Sequence, residues 1–480
     1  MSLPLHIVVL AAGGGSRMKS ARPKVLQKLA GKSMLAHVLA AAETLNPAKI
    51  HVVYGHLGTQ VRAEFANAEA SASAEPSTSA GPAITDSAIT RSAMNWVEQS
   101  IQAGTGDAVR RVMPDIPDGA RVMVLYGDSP ALLPETLLKL LQQSGLAVLI
   151  SHVDAPAGLG RAVLDTQNRV LSVIEAKDAT PDQLAIRYVN TGVLVAESAQ
   201  LRGWLQRLTP NNQQREYYLT QIFEFAANDG KAAHAVFTAD AFEGFGANDA
   251  WELAQLERYL QSRALKNLCQ TFGLRVSDPA RVDLRCSSIE LGHDVELDVN
   301  VILEGSIRFE DNVKIGPFCR VRNSNLAAGT EVLGHCDLDG VRTTGACRIG
   351  PFARLRPGTI LAEGAHIGNF VETKQAKLGR ASKANHLSYL GDVEIGSNVN
   401  IGAGTITCNY DGLNKSMTQI GDGAFIGSNS ALVAPVKIGA NATIGAGSTI
   451  TKDAASETLT LSRTRQFSVA NWQRPGKRAK

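Results

Sequence analysis

The chain has 480 residues, long enough for about three domains, and its 48 Lys and Arg residues nearly balance its 45 Asp and Glu residues. Without a basic excess, the composition argues against nucleic acid or a membrane surface as a partner, and any anion site must be local. Six cysteines without a CxxC pair, and the absence of 18 consecutive apolar residues, lead us to expect a cytoplasmic protein with reduced thiols.

Residues 1–248 alternate short aliphatic runs with helical patterns. The runs HIVVLAAG, KIHVVYG, RVMVLYGD and LAVLISHV are typical of buried strands, and SMLAHVLAAAETL and PETLLKLLQQSG of helices. This alternation predicts an α/β domain with a mostly parallel, Rossmann-like sheet, in which ligands bind beyond the carboxyl ends of the strands. Residues 66–93 are rich in Ala, Ser, Pro and Thr without an apolar period, which indicates a mobile surface insertion.

A glycine-rich stretch, LHIVVLAAGGGSRMKSARPK, follows the first predicted strand and contains Arg17 and Lys24. Neither a Walker loop nor a Rossmann fingerprint fits, because these motifs require glycine at Met18 or Leu26. Exposed backbone amides beside two cations are nevertheless suited to binding phosphate. From these residues alone, a tight turn with solvated basic side chains is an equally good interpretation.

Beyond residue 248 the pattern changes twice. Residues 249–273 place apolar side chains at helical spacing and end at Gly273, which predicts a connecting helix. From 274 to 455, aliphatic residues recur at every sixth position, as at Ile289, Val295, Val301, Ile307 and Val313. Because six is a multiple of two and not of 3.6, this period predicts strands wound into a parallel β-helix. We expect protruding loops where the period breaks, at 319–348 and 407–419, and a basic tail at 456–480.

The pattern L-A-A-G-x-G-[ST]-R-M-x-S-x-x-P-K resembles that of sugar-1-phosphate nucleotidyltransferases. With the sixfold repeat behind it, the chain from about residue 5 to 475 resembles the bifunctional bacterial enzymes that make UDP-N-acetylglucosamine. The resemblance implies acetyl transfer from acetyl-CoA to glucosamine-1-phosphate in a left-handed β-helix. Uridylyl transfer from UTP to N-acetylglucosamine-1-phosphate would follow in the first domain, with magnesium and release of pyrophosphate. A homotrimer with shared acetyl sites, and a product used for peptidoglycan and lipopolysaccharide, are also implied.

The resemblance assigns a nucleotide site to the first domain. Residues implied to contact UTP or UDP-N-acetylglucosamine are Leu10, Ala11, Ala12, Gly13, Lys24, Gln99, Gln102, Gly104, Thr105, Tyr126, Gly127, Asp128, Gly160, Glu175, Asn190 and Asn248. Arg17 and Lys24 would be catalytic through the phosphates, and Asp128 with Asn248 would bind magnesium. Gln99 and Gln102 would help to read uracil.

Some of these positions have simpler interpretations, and some depart from the family pattern. Asn248 could be only a helix N-cap, and Glu175 beside Lys177 could be an ordinary surface pair. Gly14 stands where lysine is common in the family, and Asp107 where histidine is common. Because Asp107 would add negative charge near the phosphates, we expect an effect on affinity more than on activity.

Polar residues also cluster where the sixfold period falters, which a purely structural rod would not need. By the resemblance, His386 is the general base that takes a proton from the sugar amine. Residues implied to hold the amino-sugar phosphate are Arg356, Lys374, Tyr389 and Asn400, and those implied to bind acetyl-CoA are Ala403, Asn409, Tyr410, Ser428, Ala446 and Arg463. Spacing alone leaves open a metal pair of His386 with His366. A single-activity nucleotidyltransferase and a non-catalytic interaction protein are the rival functions.

Overall fold

The computed structural model describes residues 3–55, 57–71, 83–85, 94–156 and 158–474. The chain divides into two compact units, one of Met1–Gly81 with Thr85–Ala264 and one of Pro82–Ile84 with Leu265–Lys480. Of the predicted insertion at 66–93, only the end of one helix and a three-residue strand fall within the described residues. The domain limits and the mobility of the insertion therefore stay predictions.

The first unit contains a nine-stranded mixed sheet with helices packed against it. Its strands are Leu5–Ala11, Lys49–Tyr54, Met94–Glu98, Arg121–Tyr126, Ala147–His152, Arg161–Leu164, Arg169–Ile174, Tyr188–Glu197 and Ala233–Phe237. The helices are Met34–Glu43, Gly58–Ser71, Thr105–Val112, Pro134–Leu141, Pro181–Leu184, Ser198–Gln206 and Gln221–Asn228. A further helix, Ala250–Phe272, begins in this unit and ends in the second. Short pieces complete it: strands Lys28–Leu29 and Lys32–Ser33, and 3₁₀ turns Ser16–Met18, Lys24–Leu26 and Met113–Asp115.

Strand Leu5–Ala11 lies in the middle of the parallel part of this sheet, between Lys49–Tyr54 and Arg121–Tyr126. Its alternate side chains enter two cores, with Ile7 and Val9 on one face and Val8 and Leu10 on the other. Burial on both faces explains the uninterrupted aliphatic sequence of this strand. Because the three strands run in parallel, their carboxyl ends meet at one edge, where the glycine-rich stretch begins.

Two histidines are buried near the amino ends of these strands. His6 Nδ1 lies 3.1 Å from His51 Nε2, and the Asn95 side chain contacts His51 and donates to Asp115. Burial, with a smaller contribution from Lys49, lowers the pKa of His6. Burial, and then the charges of His6 and Lys49, lower the pKa of His51 to about 4, against a smaller opposing effect of Asp115. Both rings are therefore neutral in the fold at neutral pH.

This pair predicts acid sensitivity of the first unit. The pKa of a histidine in the unfolded chain is about 6.5, and folding lowers it here. Above pH 6.5 the neutral rings are compatible with the fold, and this contribution to stability is lost as the pH falls toward 4, because the unfolded chain then binds more protons. Between pH 7 and pH 5 we expect the free energy of unfolding to fall by about 1–2 kcal/mol, measured by urea denaturation. His51→Gln should reduce this pH dependence, and the exposed control His293→Gln should retain it. Equal pH dependence in all three proteins would contradict the prediction.

The second unit is a coil of short parallel strands. An eleven-stranded sheet forms one side, with strands Arg275–Val276, Glu296–Leu297, Lys314–Ile315, Glu331–Val332, Arg348–Ile349, His366–Asn369, Lys383–His386, Asn400–Ile401, Phe425–Ile426, Thr443–Ile444 and Leu459–Thr460. The other strands are Ala83–Thr85, Val282–Leu291, Val301–Phe309, Arg320–Leu326, Asp337–Asp339, Arg342–Thr343, Arg354–Leu355, Ile360–Leu361, Glu372–Leu378, Tyr389–Ile395, Ile406–Cys408, Thr418–Ile420, Ala431–Val433, Val436–Ile438 and Thr449–Ile450. A 3₁₀ turn, Pro279–Arg281, lies near its start.

Several of the longer strands bend across a corner and so give the coil two further sides. Strand Glu372–Leu378 pairs with Arg354–Leu355 through its first residues and with Ile360–Leu361 through its last. A three-sided parallel β-helix results. The sixfold period predicts the parallel β-helix but not its number of sides. Its left-handed sense stays a prediction.

The prediction of a protruding loop at 319–348 is wrong, because this segment forms regular rungs of the coil. Leu303 lies opposite Val321, 18 positions later, but Val321 lies opposite Leu338, only 17 positions later. A coil that is one residue shorter shifts the sixfold period in the sequence, but its strands still pair with those of the neighbouring coils. The loop at 407–419 is confirmed, since Thr407 lies opposite Leu432, 25 positions later, and the extra residues leave the coil between Cys408 and Thr418.

Four aromatic rings stack along one corner of the coil and are exposed. Neighbouring ring centroids of Phe318, His335, Phe352 and Phe370 are 4.8, 4.7 and 5.5 Å apart. All four residues have positive φ, between 55° and 61°, a costly conformation for a bulky residue. The exposed fraction is 51% for Phe318 and 57% for Phe370. The same corner continues to Leu387, next to His386.

None of the helices in the described part of the chain combines the length and the apolarity that crossing a membrane requires.

Candidate functional site

A cavity of about 360 Å³ opens at the carboxyl edge of the parallel strands in the first unit. Twelve residues predicted for the nucleotide site line it: Leu10, Ala12, Gly13, Arg17, Lys24, Gln99, Gln102, Gly104, Thr105, Tyr126, Asp128 and Asn248. Four further lining residues were missed from the sequence: Gly15, Val25, Ala108 and Glu216. The predicted Ala11 and Gly127 are not in the lining, although the Gly127 amide donates to the Leu10 carbonyl, at 2.9 Å.

Gly15 determines how closely the glycine-rich turn approaches the lysine that follows it. Its φ is +58°, and a Cβ atom at this position would lie 2.6 Å from the Lys24 Cβ. A side chain here would therefore be strained and would collide with Lys24. The third glycine of the GGG run is the sequence signal for this requirement.

The cations of the turn converge on two oxygen atoms at the far side of the cavity. Lys24 Nζ lies 2.5 Å from Asp128 Oδ2 and donates to Asn248 Oδ1 at 3.0 Å. Arg17 Nη2 donates to the same Asn248 oxygen at 2.9 Å. A carboxylate oxygen and an amide oxygen thus already face one positive group, and both are oxygen donors of the kind that hard divalent cations bind.

These two oxygens could hold a metal ion only together with further ligands. Within the described ranges, no group of three or more His, Cys, Asp or Glu side chains is placed to bind one. An ion at Asp128 and Asn248 would therefore need water or substrate oxygens as well. The simpler interpretation of Asn248 as an N-cap fails, because the Asp249 side chain accepts from the Trp251 and Glu252 amides at the helix start.

The opposite wall of the cavity carries the two glutamines. Gln102 Nε2 donates to the Ala12 carbonyl at 2.7 Å, and Gln99 Nε2 donates to the Gly104 carbonyl at 3.0 Å and to Asp107 Oδ2 at 2.9 Å. Asp107 also accepts from Arg111 Nε at 2.8 Å. The negative charge that we expected near the phosphates is therefore paired with Arg111, which lies one helical turn away.

Gly160, Glu175 and Asn190 form a group beside the cavity rather than in its lining. The Asn190 amide donates to the Gly160 carbonyl at 3.0 Å, and a Cβ on Gly160 would lie 3.6 Å from both Glu175 carboxylate oxygens. The Glu175 carboxylate accepts from the Thr220 hydroxyl at 3.2 Å, and burial raises its pKa. Burial, followed by the charge of Glu175, also raises the pKa of Tyr126, so this phenol links the group to the cavity.

In the second unit, His386 lies exposed at the end of a strand, at a corner of the coil. Its Nδ1 is 3.0 Å from Asn369 Oδ1, and the two residues face each other on adjacent rungs. Because an amide oxygen only accepts hydrogen bonds, Nδ1 carries the proton and Nε2 remains a proton acceptor. Asn369 was missed from the sequence, and its spacing of one coil from His386 is the signal that could have identified it.

Beyond His386, this corner of the coil continues through residues predicted to bind acetyl-CoA. The Gly404 amide donates to the His386 carbonyl, and the Asn429 and Gly447 amides donate to the next two carbonyls of the corner. Along this line lie His386, Ala403, Ser428 and Ala446, and the Arg463 side chain donates to the Ala446 carbonyl at 2.9 Å. The structure therefore arranges five predicted residues along one edge of the coil.

The loop between Cys408 and Thr418 contains the remaining two predicted acetyl-CoA residues. Asn409 donates to the Asp392 carboxylate, and Tyr410 donates to the Gly412 carbonyl at 2.6 Å. Tyr410 and Lys415 close the loop through an antiparallel bridge.

Three cations, Arg356, Lys374 and Lys415, lie together on the side of the coil that contains the first residues of strand Tyr389–Ile395. The Arg356 amide donates to the Thr373 carbonyl, which places Arg356 next to Lys374 on the following rung. Interaction with Lys415, then desolvation and a smaller repulsion from Arg356, lower the pKa of Lys374 against an opposing effect of Asp392. Lys415 was missed from the sequence because it belongs to the protruding loop. A cluster of this kind can bind a phosphate group.

Asn400 is not brought to this cluster within one chain. It pairs with Lys383 and Phe425 in the eleven-stranded sheet, whereas Lys374 and Tyr389 belong to the other sheet. A metal pair of His366 with His386 is not favoured either. His366 lies opposite Lys383 rather than His386, and burial and then the charges of Arg348, Lys383 and His386 lower its pKa.

Comparisons with known proteins cover both units. Residues 7–165 match the family model of the MobA-like NTP transferase domain, and residues 417–452 match that of the bacterial transferase hexapeptide (six repeats). The chain is 55% identical over 480 residues to the bifunctional protein GlmU of Stenotrophomonas maltophilia (strain K279a), with 100% of both chains covered. It is 54% identical over 479 residues to that of Xylella fastidiosa (strain 9a5c), covering 100% of this chain and 99% of the relative. Since the similarity spans both units, the chain belongs to the GlmU family of bifunctional proteins.

Proposed function

We propose that this chain makes UDP-N-acetylglucosamine in two reactions. The second unit transfers the acetyl group of acetyl-CoA to glucosamine-1-phosphate, and the first unit transfers UMP from UTP to the resulting N-acetylglucosamine-1-phosphate with magnesium. The observation that carries the proposal is that one chain contains both a cation-lined cavity and an exposed imidazole at the head of a binding edge. The product would supply peptidoglycan and lipopolysaccharide synthesis in the cytoplasm.

In the first unit, the phosphate oxygen of the sugar attacks the α-phosphorus of UTP, and the bond to pyrophosphate breaks. No covalent nucleophile is needed, so catalysis depends on position and charge. Arg17 and Lys24 hold the phosphates, and Gln99 and Gln102 hold the base. Asp128 and Asn248 fit magnesium because their oxygens already converge on the Lys24 ammonium. When bound, magnesium would neutralise phosphate charge.

In the second unit, the amine of glucosamine-1-phosphate attacks the thioester carbonyl, and the carbon–sulfur bond breaks to release CoA. His386 Nε2 accepts the proton that the amine loses and passes it to the CoA sulfur as that group leaves, while Asn369 holds the ring with Nδ1 protonated. Arg356, Lys374 and Lys415 form the site for the sugar phosphate. Acetyl-CoA lies along the edge from Ala403 to Ala446.

We also infer that the acetyl site is completed by neighbouring chains in a homotrimer. Asn400 lies on a different sheet from Lys374 and Tyr389, so one chain alone does not assemble the set. The exposed ring stack from Phe318 to Phe370 leads to the same corner as His386 and offers apolar surface for a second copy.

The proposal predicts that a chelator separates the two reactions. With both sugar phosphates, acetyl-CoA and UTP present, excess EDTA should stop pyrophosphate release, because Asp128 and Asn248 would have no ion to share with the phosphates. Release of CoA should continue unchanged, because the proposed acetyl transfer depends on the His386 imidazole and on the cations that hold the sugar phosphate. Both products are followed in the same reaction, and added magnesium should restore pyrophosphate release. Pyrophosphate release that persists in chelator would remove the metal from the proposal.

A further inference from the structure

The amide group of Gln99 has no free hydrogen to offer a ligand. Its Nε2 donates to the Gly104 carbonyl at 3.0 Å and to Asp107 Oδ2 at 2.9 Å. A primary amide has two N–H hydrogens, and a carbonyl and a carboxylate can only accept. These two acceptors therefore determine which way the amide points, and Gln99 is only 4% exposed. The one polar atom of this side chain left for a ligand in the cavity is the acceptor Oε1.

Asp107 supplies one of the two acceptors that fix the orientation of the Gln99 amide. It lies in the first turn of helix Thr105–Val112, where a negative charge is favourable, and its side chain is 14% exposed. The same Oδ2 atom accepts from Gln99 and from Arg111. Arg111 neutralises the carboxylate, so Asp107 can hold Gln99 without an unpaired charge facing the phosphates.

Gln102, on the same wall, is held less firmly. Its Nε2 donates to the Ala12 carbonyl at 2.7 Å, which leaves a second amide hydrogen for a ligand. Of the two glutamines in the cavity, Gln99 is thus the one whose hydrogen-bonding character is set by the protein.

We propose that Asp107 is a positioning residue for nucleobase selection, which holds Gln99 so that only a hydrogen-bond acceptor faces the base. This inference rests on the proposed uridylyl transfer. Uracil carries a hydrogen on N3 and can donate it to Gln99 Oε1. Cytosine has a lone pair on N3, which would face the Gln99 oxygen without a hydrogen between them. Asp107 therefore favours UTP over CTP although it does not touch either nucleotide.

Without Asp107, the Gly104 carbonyl alone holds the amide of Gln99, so rotation by half a turn costs one hydrogen bond instead of two. Its NH₂ group would then face the base and could donate to N3 of cytosine, while its oxygen would face away. For Asp107→Ala we expect the ratio of kcat/KM for UTP over CTP to fall about tenfold or more. The change should come mainly from a higher KM for UTP, with kcat within about threefold of wild type, because Asp107 is not among the residues that line the cavity.

Three further variants separate this role from simple support of the helix. Arg111→Gln removes the ion pair but leaves the acceptor for Gln99, so the ratio should stay at the wild-type value. In a Gln99→Ala background, adding Asp107→Ala should change the ratio no further. Asp107→Asn has nearly the same shape and folds if Asp107→Ala does not. Its neutral amide holds Gln99 less strictly, so the ratio should still fall.

The outcomes distinguish the inference from the function on which it rests. Pyrophosphate release from UTP with an unchanged UTP-to-CTP ratio in both Asp107 variants would overturn the inference and leave the proposed function intact. A ratio lowered equally by Arg111→Gln would also overturn it, because the role would then be structural. If wild type releases no pyrophosphate, the dissociation constants of UTP and CTP, measured by calorimetry, still test the inference after the proposed function has failed.

Discussion

Replacing His386 with alanine is expected to lower acetyl transfer by about 10²–10⁴-fold while pyrophosphate release from UTP stays at the wild-type rate. The imidazole at this position is exposed, and Asn369 holds its Nδ1, which leaves Nε2 as the proton acceptor. Without it, the amine of the sugar has no positioned base. Acetyl transfer is measured as free CoA with a thiol-reactive chromophore, using glucosamine-1-phosphate and acetyl-CoA.

Two variants sharpen this prediction. Asn369→Ala should reduce acetyl transfer less than His386→Ala, by about tenfold, because the base remains but its ring and tautomer are no longer fixed. His293→Gln, at an exposed histidine elsewhere in the coil, is the control for the loss of one imidazole and should retain acetyl transfer. Unchanged acetyl transfer in His386→Ala would remove the acetyltransferase assignment and favour a nucleotidyltransferase whose β-helix serves only for assembly.

Replacing Asp128 with alanine is expected to lower pyrophosphate release by about 10²–10³-fold or more while acetyl transfer is retained. The change removes a carboxylate that faces both Lys24 and the place proposed for magnesium. Lys24 then loses its acidic partner and keeps its hydrogen bond to the Asn248 side-chain oxygen. Pyrophosphate release is measured with a coupled phosphate assay at saturating UTP and magnesium.

Asp128→Asn is the conservative comparison, because it keeps an oxygen in place but removes the negative charge. It should also be slow, though less so than Asp128→Ala. Asp118→Asn, at an exposed aspartate that pairs with Arg202, is the control for the loss of one acidic residue and should behave as wild type. Loss of acetyl transfer together with pyrophosphate release would contradict the two independent sites.

Local patterns made much of the fold predictable. The strand Leu5–Ala11 is aliphatic throughout because both its faces are buried, and the sixfold period records the inward positions of the coil. The error at 319–348 has the same origin. A coil of 17 residues and one of 18 differ in sequence phase, yet the inward residues Val321 and Leu338 still lie opposite each other. Period alone does not distinguish a shorter coil from a protruding loop.

The candidate site was predictable where its residues are close in sequence and not where they meet only through folding. The glycine-rich turn carries its own signal, although the need for Gly15 became clear only from its approach to Lys24. Glu216 reaches the cavity from a loop far along the chain, and nothing around it in the sequence points there. Lys415 joins Lys374 only because a protruding loop folds back. Such residues depend on tertiary contacts, which a single sequence does not reveal.

The bond between Lys24 and the two oxygens of Asp128 and Asn248 has a thermodynamic consequence. A divalent ion that arrives alone must compete with a tethered ammonium for the same oxygens. An ion that arrives with a triphosphate brings anions that can take over Lys24 as their partner. Under the proposed function, the affinities for ion and nucleotide are therefore linked, and by reciprocity each raises the other by the same factor.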